Sequence, residues 1–473
     1  MRRFLPESRF FGFLLAVLLV AGAAVPAAHA QPLADTTMTG SWLGTLSTPG
    51  GDLRVVFNLD RTSDGQLTGT MDSPDQGATG IPLSDVTRSA DTLRIAVDAI
   101  AGRFAGVVNM TAGTVEGQWA QGPARLPLTI EKVEAAPTVN RPQVPEAPFP
   151  YQTEEVTFSS ADGTRLAGTL TLPDSEGPHP GIVLIAGSGP QDRDSRVAGH
   201  PLMLVWADVL TRNGFAVLRY DERGVGASGG VHETATTADL SFDTEAAADA
   251  LADRAAVDSD RILLIGHSEG GMIATLVATR SETVSGVVLL ASPAVPGSEI
   301  LSDQLDIRAS ANGIDERTRA MQQGTQARIF RAIEANESDS LAMAKELRAI
   351  MIDSRGIDGE EVIQQEVRRL TSPWLRAFIA YDPAEDLQRL NVPVLAVYGS
   401  NDKQVLPEKN AKVLREALQA SEAADVTIRS LSGLNHLLQP SDTGRPVEYG
   451  QIETTVALEA IETVTEWLSG RFQ

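Results

Sequence analysis

Gly266-His267-Ser268-Glu269-Gly270 sets a hydroxyl between two residues without side chains, directly after the apolar run Ile262 to Ile265. Four apolar β-formers in succession read as a strand buried on both faces, and Met272 to Arg280 reads as a helix. G-x-S-x-G between strand and helix is a nucleophile elbow, a sharp bend that presents one Oγ at a helix N-terminus. Backbone N–H groups there can face a developing anion. Gly266 and Gly270 have to be small so that strand and helix pass closely. A serine hydroxyl is a poor nucleophile until a neighbouring base takes its proton, and that base needs an acid to orient it.

In strand-turn-helix hydrolases the chain order is serine, acid, histidine. The six histidines are His29, His179, His200, His232, His267 and His436. Only His436 follows the serine, in Gly433-Leu434-Asn435-His436 after a strand expected at Val426 to Leu431. His267 lies inside the elbow, its side chain directed away from that of Ser268. Asp402, on the loop after a strand expected at Val392 to Tyr398, precedes His436 by 34 residues. That interval holds one helix, one strand and two loops. Glu408 and Asp425 compete for the role, but neither sits at the C-terminal end of a strand, where sites of open parallel sheets assemble. The expected catalytic residues are therefore Ser268, Asp402 and His436. An oxyanion hole needs two backbone donors. One is the N–H of Glu269; the other comes from Gly187-Ser188-Gly189-Pro190, with Ser188 favoured and Gly189 as the alternative. A phosphate cradle is the competing use of that loop, but no Walker lysine follows and the formal charge of -23 opposes an anionic ligand.

The elements that must position these residues alternate. Glu155 to Ser159 and Arg165 to Leu172 read as a hairpin, and Gly181 to Ala186 as a buried strand. His200 to Arg212 is expected as a helix, Ala216 to Tyr220 as a strand, Thr236 to Ala256 as a helix, and Val284 to Leu290 as the strand after the elbow. A helical interval follows at about 297–390, then the strand at Val392, a helix at Glu408 to Leu418, the strand at Val426, and a closing helix at Gly450 to Gly470. Strands alternating with helices predict a mostly parallel sheet covered on both faces. The helical interval reads as a cap, because apolar positions such as Ile329, Ile333, Leu341, Met343, Leu347 and Met351 need a surface to bury against.

The remainder of the 473 residues has a different grain. Arg2 and Arg3 precede an apolar run from Phe10 to Val20, and Ala28-His29-Ala30 is a small-x-small cleavage site, so residues 1–30 read as a secretory leader. Export in soluble form, with no membrane insertion after cleavage, is the expectation. Residues 31–134 carry short alternating runs between Asp-Gly and Ala-Gly turns, which predicts a small antiparallel barrel or sandwich. Gly40-Ser41-Trp42 and Gly117-Gln118-Trp119 echo each other near its two ends and are expected to pair. Their tryptophans are better suited to a core than to stacking a ligand. Residues 135–150, with five prolines, read as a stiff linker to a domain at 151–473. The chain has no cysteine, which excludes disulfides, thiolate chemistry and cysteine-bound metals. The acidic balance argues against nucleic acid and anionic lipid as partners.

Gly187-Ser188-Gly189-Pro190-Gln191-Asp192-Arg193-Asp194, Tyr220-Asp221-Glu222-Arg223-Gly224-Val225-Gly226-Ala227-Ser228 and Gly266-His267-Ser268-Glu269-Gly270-Gly271 together resemble the EstD-type esterases of the α/β-hydrolase superfamily. The resemblance spans about residues 151–473. It implies an α/β-hydrolase fold and a carboxylesterase acting on short acyl esters through Ser268, Asp402 and His436, without cofactor or metal. Ala186 stands where many members of the superfamily have histidine, and Asp192 to Asp194, Asp221 and Arg223 are expected to be structural. A serine peptidase or aminopeptidase using the same residues is the alternative.

Overall fold

In the N-terminal part, alternation of apolar and polar residues builds strands that bury one face. The computed structural model describes residues 38–48, 51–122, 124–135, 139–354, 359–423 and 425–473. The expected leader lies outside them. The chain divides into two compact units, Met1–Asn140 with Tyr449–Gln451, and Arg141–Glu448 with Ile452–Gln473.

The first unit is one antiparallel sheet. Its strands are Gly40–Thr48 (β1), Gly51–Arg61 (β2), Leu67–Ser73 (β3), Ala78–Pro82 (β4), Asp85–Ser89 (β5), Thr92–Val97 (β6), Gly102–Asn109 (β7), Thr114–Gln121 (β8) and Ala124–Val133 (β9). They lie in the order β4-β3-β2-β1-β9-β8-β7-β6-β5. Met71 of β3 and Val86 of β5 share one core with Trp42, Phe57, Phe104 and Trp119, so the sheet curls round a single apolar face. Both tryptophans are buried in that core. The expected pairing of the two tryptophan strands does not occur. Trp42 lies opposite Phe57 and Lys132, and Trp119 opposite Phe104 and Leu126, because β9 intervenes. Pro127 and the charges of Arg125, Glu131 and Lys132 hide β9 from a search for apolar runs.

The second unit carries the mixed sheet. Tyr151–Ser159 (β10) and Arg165–Pro173 (β11) form a hairpin. His179–Ile185 (β12), Ala216–Tyr220 (β15), Val257–His267 (β16), Val284–Leu290 (β17), Val394–Gly399 (β18) and Val426–Leu431 (β19) follow, with a two-stranded ladder of Arg196–Val197 (β13) and His200–Pro201 (β14) between β12 and β15. The order is β10-β11-β15-β12-β16-β17-β18-β19, parallel from β15 onward. Leu202–Arg212 (α1), Thr237–Ala252 (α2) and Glu269–Ala278 (α3) cover it together with Pro407–Gln419 and Leu458–Phe472. Ile262 to Ile265 are fully buried between β12 and β17, as a run apolar on both faces demands. This is the α/β-hydrolase fold.

Two helices start later than their composition suggests. His200 and Pro201 pair with Val197 and Arg196, and a residue before proline is steered away from helical torsions, so α1 begins at Leu202. Toward the C-terminus the Thr455 and Val456 N–H groups donate to Gln143 Oε1 and the Ala457 N–H donates to Leu438 O. Those backbone groups are spent outside a helix, and the last one begins at Leu458 rather than Gly450.

Between β17 and β18 the described residues form six helices, the cap: Gly297–Ala311 (α4), Glu316–Ala335 (α5), Ser340–Asp353 (α6), Glu360–Leu370 (α7), Pro373–Ala380 (α8) and Pro383–Leu387 (α9). Ile333, Met343, Leu347 and Met351 form its own small core with Ile363, Leu375 and Ile379. Leu341 does not join them. It lies in the first turn of α6, just after the N-cap Asp339, and it is 83% exposed.

Candidate active site

Ser268 holds φ 55° and ψ -123°, a left-handed conformation that a non-glycine residue adopts only when its surroundings dictate it. Those surroundings are tight. A Cβ on Gly266 would lie 2.0 Å from Gly270 O, one on Gly270 2.4 Å from Ala186 O, and one on Gly271 2.4 Å from the Ser292 side chain. The Ser268 N–H donates to Leu290 O of β17 at 2.8 Å, which pins the bend to the neighbouring strand. Ser268 stands at the N-cap of α3, yet its hydroxyl does not cap the helix and makes no hydrogen bond to a described residue. Its side chain is half-buried.

His436 and Asp402 are brought together. His436 Nδ1 lies 2.7 Å from Asp402 Oδ2, and both side chains are buried. Asp402 Oδ1 accepts from the Gln404 and Val405 N–H groups at 2.7 and 2.9 Å, so the carboxylate is oriented from its own loop. The loop after β19 is held by a buried polar net. Asn435 Oδ1 accepts from the Leu437 and Gln439 N–H groups, Asn435 Nδ2 donates to Gln439 Oε1, and Gln439 Nε2 faces His200 Nε2 at 2.9 Å. Each loop leaves the C-terminal end of its strand, on the edge of the sheet where the elbow also turns. His267 meets the His436 loop directly: its Nε2–H donates to His436 O at 2.9 Å, and the two rings lie 4.8 Å apart between centroids. Burial first, and then the proximity of His436, pushes the His267 imidazole down to about 3.

The loop after β12 abuts the serine from the other side. A Cβ on Gly187 would lie 3.2 Å from Ser268 Cβ and 3.4 Å from His267 Nδ1. Ser188 is exposed, and Gly189 takes φ 94°. The N–H groups of Ser188 and Glu269 have no protein acceptor among the described residues. The motif Gln191 to Asp194 clamps this loop to the one after β15. Arg193 grips Asp221 through Nε and Nη2 at 3.0 and 2.8 Å, the Gln191 N–H donates to Glu222 Oε2, and the Glu222 N–H returns the bond to Gln191 O. Burial works to raise the Asp221 carboxyl, but the Arg193 guanidinium and two N–H donors hold it below the usual carboxylate range. Burial dominates at Glu222 and pushes it up, against the opposing pull of His232.

The cap reaches the elbow through Trp374 of α8. Its indole N–H donates to the Glu269 carboxylate at 2.8 Å, Thr237 Oγ1 donates to the same oxygen at 2.6 Å, and the indole stacks on Phe378. Trp374 packs against both the core of the sheet and the core of the cap. Neither this contact nor the His267 tie follows from the sequence pattern. The available signals were an ionisable residue directly behind a serine that must be buried, and one of only five tryptophans in the helical interval.

Residues 203–442, half of the chain, match a family model described as serine aminopeptidase, S33. Esterase EstD of Thermotoga maritima is 27% identical over 330 residues, which cover 68% of each chain. The uncharacterized protein YfhR of Escherichia coli K12 is 31% identical over 170 residues, 33% of this chain and 56% of its own. Among solved structures, the Pyrococcus furiosus esterase Pf2001 superposes with a TM-score of 0.44 at 15% identity, over 72% of this chain and 100% of its own.

Proposed function

Because this chain belongs to the serine aminopeptidase S33 family of α/β hydrolases, we propose that it is an exported carboxylesterase that cleaves short-to-medium acyl esters through an acyl-enzyme. The observation that carries the reading is the buried His436–Asp402 pair, 2.7 Å apart, on the sheet edge where Ser268 is held at positive φ. Similarity to an esterase supports the choice of ester over amide.

With Nδ1–H donated to Asp402, neutral His436 leaves Nε2 bare to accept a proton. Ser268 Oγ attacks the ester carbonyl while its proton passes to Nε2, and Asp402 stabilises the imidazolium that results. The carbonyl oxygen becomes an anion against the N–H groups of Ser188 or Gly189 and of Glu269, at the positive end of α3. Collapse expels the alcohol, which takes the proton from Nε2. Water, activated by the same nitrogen, then attacks the acyl-enzyme and regenerates Ser268. Hydrogen bonds between nucleophile and base commonly tighten only when substrate binds.

Ser268→Ala should lower kcat by roughly 10⁴- to 10⁶-fold on p-nitrophenyl esters, and a folded variant that kept most of its rate would refute the assignment. The aminopeptidase reading is favoured by the wording of the family model, and aminoacyl anilides hydrolysed faster than short esters would establish it. Export is tested by N-terminal sequencing of the protein from a secreting host, which should begin at Gln31.

A further inference from the structure

One imidazole beside the nucleophile has no place in the reaction above, yet it touches both loops that the reaction needs. His267 Nε2–H donates to the backbone carbonyl of His436 at 2.9 Å, and its Nδ1 edge faces Gly187, which precedes Ser188 in the loop after β12. The ring is buried, and its backbone continues directly into the strained Ser268. Its position in the covalent chain gives the contact its meaning. His267 is the last residue of β16, paired to β17 at Leu290, so its Cα is as fixed as the centre of the sheet. His436 sits on a loop, whose place relative to β16 has to be set by contacts. Asp402 orients the His436 ring but belongs to another loop, and the Asn435–Gln439 net shapes the turn and reaches His200 and Thr454, neither of which belongs to β16. The bond from His267 instead ties the main chain of the base to the residue that precedes the nucleophile.

We propose that His267 is a positioning residue: as a neutral donor it sets the separation between the loop of His436 and the elbow of Ser268. The inference rests on His436 being the base. A positively charged ring would be unwelcome beside an imidazole that must itself become cationic in the transition state, and burial keeps His267 uncharged. Displacing a reacting group by about 1 Å costs rate on the order of 100-fold without weakening substrate binding.

The test compares His267→Phe, His267→Gln and His267→Asn in the full-length protein, with kcat and KM on a short p-nitrophenyl ester and the rate and final extent of labelling by a fluorophosphonate. Phenylalanine keeps a ring but has no donor. Glutamine places an amide N–H near the position of Nε2, and asparagine ends one bond short. Phe and Asn should lose about 10- to 100-fold in kcat and in labelling rate, with KM within about twofold and labelling still reaching one group per chain. Gln should recover most of the rate. If Phe does not fold, the Gln and Asn pair asks the same question. Wild-type kcat in a folded Phe or Asn variant, or equal losses in Gln and Asn, would overturn the inference. His436→Ala serves as the control: if it retains activity, the base assignment fails, whereas a dead His436→Ala beside a fully active His267→Asn removes the positioning role alone.

Discussion

The His267 imidazole is held down to about 3, mainly by burial and secondarily by His436, against an ordinary value of 6.5. The unfolded chain therefore takes up a proton below about pH 6.5 that the native chain refuses until about pH 3. This residue's contribution to stability is therefore complete above pH 6.5 and is lost as pH falls toward 3. His267→Gln, which cannot titrate, should show a shallower loss of urea stability between pH 7.5 and pH 5 than the wild type; parallel losses would show that the ring is not what resists protonation. The glycines behave differently from one another for a measurable reason. An alanine methyl at 266 would sit 2.0 Å from a backbone oxygen that cannot move, so Gly266→Ala should prevent formation of the elbow and yield little folded protein. At 187 the new methyl would meet Ser268 Cβ at 3.2 Å, a contact that a few tenths of an ångström relieve. Gly187→Ala should fold, as circular dichroism would register, but with kcat lowered if the loop after β12 supplies the proposed oxyanion donors.

At the scale of elements, α8 and α3 share one buried carboxylate. Trp374→Phe keeps the stack on Phe378 and removes one of the two donors to Glu269, leaving Thr237. A buried acceptor stripped of a donor costs about 1–3 kcal/mol, which urea unfolding would detect; no change would mean that the indole N–H adds nothing. The clamp between the β12 and β15 loops makes a similar demand. Arg193→Leu would leave the Asp221 carboxylate with backbone donors alone, and the loss should approach about 3 kcal/mol. These loops were visible in the sequence as the motifs G-S-G-P-Q-D-R-D and D-E-R-G-V-G-A-S. Their mutual grip was not, because Arg193 and Asp221 are 28 residues apart and nothing in either segment names its partner.

For the molecule as a whole, the formal charge of -23 is spread over a surface with few lysines. Like charges at such density repel within the folded state, and salt screens them. The melting temperature should therefore rise between about 10 mM and 0.5 M NaCl, where a protein held mainly by exposed ion pairs would show the opposite trend. Among the described residues no helix is long and apolar enough to cross a membrane. The cap keeps a core of its own, distinct from that of the sheet, with Trp374 and Leu301 packed against both.

Local structure was legible in the chain because it is written in neighbouring residues. The apolar run before Gly266, the serine between glycines and the helix after it specify strand, bend and helix together, and the scarcity of histidines leaves one downstream partner. The alternation of strands and helices determined the layered sheet in the same way. What tertiary structure alone decided are contacts between segments distant in sequence: β9 separating the two tryptophan strands, Gln143 pairing with Thr455 and Val456, Trp374 on Glu269, and His267 on the main chain of His436. Each depends on where a backbone carbonyl or a buried carboxylate arrives after folding. Backbone carbonyls are the same in every residue, so a bond to one leaves no mark in composition or spacing, and only the packed molecule reveals it.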